Sequence, residues 1–152
     1  MIVAVGCDHA GLSIKESVLH AIQEAGHVVL DFGTSSSERV DFPDYAQKVG
    51  QAIQQGQAER GILLCGSGIG MCIAANKMKG IYAAICHDTY SAHQGVEHDN
   101  MNVLCLGGKI IGDEAAKELV RSFLAAHVLQ VDRYQKRIDK IKKLEVDGSY
   151  PY

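Results

Sequence analysis

Short, unbroken apolar runs alternate along this chain with longer segments of helical period, and that alternation constrains the fold more than any other feature. Ile2 to Val5 reads as a buried strand, followed by Ile14, Val18, Ala21, Ile22 and Ala25 on one helical face, with Gly26 as the stop. Val28 to Phe32 is a second strand. Pro43, preceded by Asp41, suits the first turn of a helix through Ala46, Val49 and Ile53 to Gly56. Ile62 to Leu64 is a third strand and leads into a glycine-rich turn. The helix after that turn carries Ile73, Ala74 and Lys77, with Gly80 as its stop. Ile81 to Ile85 and Val103 to Leu106 are further strands, separated by a polar segment with His93 and His98. Asp113 is placed to cap a helix with Ala116, Leu119, Val120 and Phe123 on one face, and a charged helix from Asp132 to about Leu144 ends the pattern. Strands that lack polar alternation are buried on both faces. The pattern therefore predicts an α/β fold: a mostly parallel five-stranded sheet between two helical layers.

At 152 residues, with neither an internal repeat nor a linker, residues 1–152 are expected to form one domain whose last residues, 144–152, are a tail. The formal net charge of −3 gives no reason to expect nucleic acid as a partner. No apolar stretch approaches the length of a membrane span. The first residues carry no basic region ahead of their apolar run, so no signal peptide is expected there. Five cysteines, at 7, 65, 72, 86 and 105, form no C-x-x-C pair and suggest neither a disulfide framework nor a zinc finger. Most are expected to be core filler in a reduced, cytoplasmic protein.

In open α/β sheets, ligands bind outside the carboxyl ends of the strands. Those ends carry Asp8 and His9, then Cys65 and its glycines, then His87 and Asp88, then Gly107 and Gly108. The string Cys65-Gly66-Ser67-Gly68-Ile69-Gly70 joins a strand to a helix. Glycine lets successive N–H groups point at one spot, and the helix adds its positive end, so a phosphate or a developing oxyanion is the natural occupant. A tight turn without a ligand is the plain alternative. A Walker loop is excluded because its string does not occur. A dinucleotide fingerprint would need glycine where Met71 stands, although Asp88 at the end of the next strand keeps that reading open. A cysteine-dependent phosphatase would need an arginine at the same position and fails. A thiol at Cys65 would feel the helix dipole and nearby N–H groups, which favour thiolate, a good proton acceptor as well as a nucleophile. With no protease-like triad visible, proton abstraction is the better reading.

Asp8-His9 can handle hydroxyl protons or grip an anion, and Asp8 alone could equally cap the first helix. His98-Asp99-Asn100 lies in a polar stretch where an exposed histidine is ordinary. Arg133 and Arg137, four apart, share a helical face and together make a dianion clamp. The lysines of that helix read as a solvated face. Lys109, after Gly107-Gly108, is a further phosphate candidate. No cluster has metal-ligand geometry, and chemistry without a metal or cofactor is expected.

Taken together, Gly6-Cys7-Asp8-His9-Ala10-Gly11, Cys65 to Gly70, Ile73-Ala74-Ala75-Asn76-Lys77 and Asn102 to Gly108 resemble the type B ribose-5-phosphate isomerases. These are relatives of the galactose-6-phosphate isomerase subunits, and the resemblance runs from residue 1 to about 144. It implies a Rossmann-like three-layer αβα sandwich with a C-terminal helix, acting on a sugar phosphate. It further implies that Cys65 moves a proton between C1 and C2, that Gly66, Ser67, Gly68, Ile69 and Gly70 donate N–H groups to the enediolate, and that His98 opens the furanose ring. Asp8 and His9 would contact the sugar. Asp99, Lys109, Arg133 and Arg137 would complete the site, the last three around the phosphate. The family works as a homodimer, in some members a dimer of dimers, with His98, Asp99 and Lys109 reaching the partner's site. Three positions depart from the family pattern: Asp99 for a usual asparagine, Lys109 for a frequent arginine, and Tyr134 for a frequent histidine. Some relatives place a glutamate base on the helix after the turn; here that helix carries Ile73 and Ala74, so the cysteine version applies. Hexose 6-phosphates remain an alternative substrate class, and a nucleotide- or flavin-binding module an alternative function.

Overall fold

The computed structural model describes residues 1–149, so residues 150–152 of the expected tail lie outside it. Five strands form one sheet: β1 (Ile2–Cys7), β2 (Val28–Asp31), β3 (Arg60–Cys65), β4 (Ala83–Ile85) and β5 (Val103–Gly107). Six helices connect and follow them: α1 (Leu12–Glu24), α2 (Phe42–Gln54), α3 (Ile69–Ala75), α4 (Thr89–Asp99), α5 (Asp113–Ala125) and α6 (Asp132–Asp147). The strand order is β2-β1-β3-β5-β4 and every pairing is parallel.

Strand side chains alternate between faces, so each central strand feeds two cores. Ile62, Leu64, Leu104 and Leu106 join Ile14, Val18, Ala116, Val120 and Phe123 on the side of α1, α4 and α5. Leu63, Cys65, Val103 and Cys105 join Ala46, Val49, Met71 and Ala75 on the side of α2 and α3. The unbroken apolar strands thus belong to the middle layer of three. α6 continues past the helices of the sandwich and packs on α4 through buried Tyr134 and Ile138.

Several local expectations change. The polar segment with His93 and His98 is a helix, because Asp88 caps it by accepting from the Ser91 N–H at 2.7 Å and Ala92 and Val96 bury one side. Asp113 is the first residue of α5, not its cap; Gly112 takes that place without a side-chain bond. The helix after the glycine turn ends at Ala75, leaving Lys77 outside it. The Asn76 amide pairs with both backbone groups of Ala83, at 2.8 and 2.9 Å, and draws the chain towards β4. β4 itself starts only at Ala83, since the Asn102 side chain engages the Tyr82 N–H and the Gly80 carbonyl ahead of it, each at 2.8 Å. α6 extends three residues beyond Leu144, into the expected tail, and closes at Gly148 with φ 71°.

Candidate active site

Parallel strands put all their carboxyl ends on one edge, where the loops after β1, β3, β4 and β5 meet. Register places Cys7 beside Leu64 and Cys65 beside Gly107, so Asp8 follows directly next to Cys65. Asp8 is 5% exposed, and its Oδ1 accepts from the N–H groups of Ala10 (2.8 Å) and Gly11 (3.0 Å). That bond pattern braces the loop; Gly11, not Asp8, stands at the N-cap of α1. His9 Nδ1 accepts from the Val40 N–H at 3.3 Å, which leaves its proton on Nε2, available as a donor.

Cys65 is 6% exposed, and its Sγ accepts from the Gly68 N–H at 3.1 Å. Gly68 has φ +83°, a left-handed conformation that turns the chain from β3 into α3 without a Cβ clash. α3 starts at Ile69, so Gly70 lies in its first turn, where N–H groups have no intrahelical partner. A Cβ on Gly70 would come within 2.8 Å of the Phe42 ring. The third glycine of the string is thus required by Phe42, a neighbour that spacing along the chain does not reveal. The turn is tied to the end of β5: Gly108 N–H donates to the Cys65 carbonyl at 2.8 Å, and Lys109 N–H to that of Gly66 at 3.0 Å. The stem of Lys109 lies against Gly66 of its own chain.

The other candidates form a second group. α4 leaves the carboxyl end of β4 and runs back, over about 16 Å for its 11 residues, towards the start of β5. His98 and Asp99, in its last turn, therefore sit at the amino edge of the sheet, away from Cys65. The Gln94 amide nitrogen donates to His98 Nδ1 (2.8 Å) and to Asp99 Oδ2 (3.2 Å). The His98 ring stacks on Tyr134, centroids 4.0 Å apart and planes 18° from parallel. Arg133 donates to the Tyr134 hydroxyl at 2.9 Å and lies over the same ring. Arg137 follows one turn later, exposed like Arg133. Within one chain, then, Cys65, Gly66 to Gly70, Asp8, His9 and Lys109 come together, and His98, Asp99, Arg133 and Arg137 do not join them.

The remaining cysteines differ in chemistry. Burial pushes the Cys7 thiol up to about 12 and that of Cys86 up to about 11. Half-buried Cys72 is lowered to about 7, chiefly by a hydrogen bond from the Cys105 thiol. Among the described residues no group of three or more histidine, cysteine or carboxylate side chains could hold a metal ion, and no helix is long and apolar enough to cross a membrane.

A doubly covered parallel sheet with a thiol, a carboxylate, an imidazole and a glycine turn at its carboxyl edge is the frame of an α/β enzyme that acts on a small polar metabolite. Residues 3–141 match the family model described as Ribose/Galactose Isomerase. The chain is 42% identical to ribose-5-phosphate isomerase B of Escherichia coli, over 94% of this chain and 95% of that one. It is 44% identical to D-erythrulose-4-phosphate isomerase of Pectobacterium atrosepticum, over 82% of each. The structure of the Trypanosoma brucei type B ribose 5-phosphate isomerase superposes with TM-score 0.91 at 44% identity, covering 95% of this chain and 98% of that one. The chain belongs to the ribose/galactose isomerase family and is an isomerase.

Proposed function

We propose that this chain interconverts D-ribose 5-phosphate and D-ribulose 5-phosphate through an enediolate, as a cytoplasmic homodimer. The observation that supports this most directly is the buried Cys65 thiol at the mouth of the glycine turn, its Sγ accepting from the Gly68 N–H, in a chain 42% identical to ribose-5-phosphate isomerase B along nearly its whole length. In this reading the Cys65 thiolate removes the C2 proton of the open-chain aldose. The electron pair passes through the new C1–C2 double bond to O1, where the Gly66 to Gly70 N–H groups hold the oxyanion. The O2 hydroxyl proton then moves to O1, the C2 carbonyl forms at O2, and the Cys65 thiol returns its proton to C1. Donors aimed at the developing charge are worth about 3 kcal/mol each in such sites. Asp8 and His9 hold the sugar hydroxyls.

His98 opens the furanose ring, with Asp99 beside it. Arg133, Arg137 and Lys109 take the phosphate, whose binding energy fixes C1 and C2 near the base. The amino-edge position of His98, with Arg133 beside it, supports a shared site, in which a twofold dimer has each copy supply these residues to the other's turn.

The test is subunit mixing. Cys65→Ala and His98→Asn proteins are each inactive with ribose 5-phosphate. Co-refolded in equal amounts, they regain about a quarter of wild-type activity, because half of the dimers are mixed and each has one intact site. No recovery would remove the shared site.

A shorter substrate is a second reading, favoured by the 44% identity to D-erythrulose-4-phosphate isomerase. In an aldotetrose 4-phosphate the O4 atom carries the phosphate, so a furanose cannot close and needs no opening. If the tetrose is the substrate, His98→Asn retains most activity towards it; ribose 5-phosphate turnover collapses in the same variant.

A further inference from the structure

His87 follows β4 at the carboxyl edge, and the chemistry set out above leaves it without a task. In the sheet, Gly107 is the last residue of β5 and stands in register with Cys65. β4 ends its pairing with β5 at Ile85–Cys105, two residues short of Gly107. The Gly107 N–H consequently has no strand partner, and a backbone donor left unmet at this depth is destabilising. The His87 ring supplies the acceptor: Gly107 N–H donates to Nε2 at 3.0 Å. An imidazole nitrogen thus adds the rung that the departing strand does not make.

What hangs from that rung is the catalytic turn. The Gly107 carbonyl accepts from Ile110 (2.9 Å) and Ile111 (3.1 Å), closing a turn whose next two N–H groups hold the Cys65 and Gly66 carbonyls. Ser67 lies directly over Gly107, where a Cβ would approach its Cα to 2.8 Å. The position of Gly107 therefore sets the height of Ser67 and the tilt of the Cys65–Gly66 peptide. Nε2 accepts only in the neutral imidazole with its proton on Nδ1. Burial lowers the pKa of His87 from its ordinary 6.5, which keeps the ring in that neutral form.

We propose that His87 is a positioning residue for the isomerase reaction, holding Gly107 so that the Cys65 thiol and the N–H groups of the glycine turn face the reacting carbons. The inference rests on the isomerase reading above. It assigns His87 no contact with substrate: its effect passes through Gly107 to Cys65 and Gly66.

The experiment compares His87→Leu, which fills similar space without an acceptor, with His87→Gln, whose Oε1 reaches the place of Nε2. His87→Leu lowers kcat for ribose 5-phosphate about tenfold or more, as displacement of aligned groups does, with KM within about threefold of wild type. His87→Gln restores kcat to within about threefold. Wild-type kcat in a folded His87→Leu overturns the proposal, as does a folded His87→Gln as slow as the leucine variant. Should His87→Leu not fold, His87→Ala takes its place against the same rescue. A wild type that turns over no four- to six-carbon aldose phosphate would instead bring down the isomerase reading. Amide hydrogen exchange then reads the bracing alone: faster exchange at Gly107, Gly108 and Lys109 in His87→Leu than in His87→Gln supports it, and equal rates overturn it.

Discussion

The carboxyl edge and the amino edge of the sheet hold their functional groups by different physics. At the carboxyl edge, Cys65 and Asp8 are nearly buried and fixed by backbone hydrogen bonds that continue the sheet into its loops. At the amino edge, His98 is held by side chains alone: the Gln94 amide, the face of Tyr134, and Arg133 over that same ring. The first arrangement is rigid before any ligand arrives, as suits a base and an oxyanion array. The second is a side-chain cluster between two helices, in which Tyr134 is buried, Gln94 and His98 are half-buried and Arg133 is exposed. In the proposed mechanism, the difference means that main-chain bonds position the proton-transfer groups, whereas the groups proposed for ring opening and phosphate capture rest on side-chain contacts between helices.

That contrast can be broken most sharply at Cys65. Removing a positioned base costs about 10²–10⁴-fold, so Cys65→Ala is expected to lose at least a hundredfold in kcat while its thermal midpoint stays close to wild type. Full activity in that variant would move the base elsewhere. At the other edge, Arg137→Ala is expected to raise KM for ribose 5-phosphate about tenfold or more, with kcat changed much less, since a charge-assisted hydrogen bond is worth about 1.5–3 kcal/mol. An unchanged KM would place the phosphate away from α6.

Tyr134→Leu sharpens the contrast by removing the platform under His98 while keeping the site apolar. Loss of a stacked pair, worth about 0.5–1.5 kcal/mol, should slow ribose 5-phosphate turnover severalfold and leave the reactivity of the Cys65 thiol unchanged. Altered Cys65 reactivity would mean that the two edges are coupled within one chain. The smallest effect concerns the thiols outside the site, followed by peptide mapping after iodoacetamide. With its pKa lowered to about 7, Cys72 is about half thiolate at neutral pH, and its alkylation should slow as pH falls from 8 to 6. Cys7, pushed up to about 12, carries almost no thiolate in that range and should stay unlabelled.

Much of this could be read from residue order. Unbroken apolar strands separated by helical segments implied the parallel sheet, and the glycine string after β3 marked the turn, because both are local patterns repeated over a few residues. α4 was not legible: Ala92 and Val96 are its only buried side chains, too few to give a helical stripe, and the cap at Asp88 becomes evident only from its bond to Ser91. Nor was the reason for Gly70, which is the ring of Phe42 packed over it. His87 stood at a strand end as a polar residue without a partner, since the N–H it serves lies 20 residues further on.

By itself the sequence determined the layers, the turn and the chemical kinds of group at hand: a thiol, a carboxylate, imidazoles and guanidiniums. Tertiary structure alone decided which of them share an edge. Strand direction sends Asp8, Cys65 and Gly107 to one side of the sheet, whereas a helix of 11 residues carries His98 to the other. Local spacing fixes which face of an element a side chain occupies, but the separation between elements follows from chain path and pairing, which no single segment encodes.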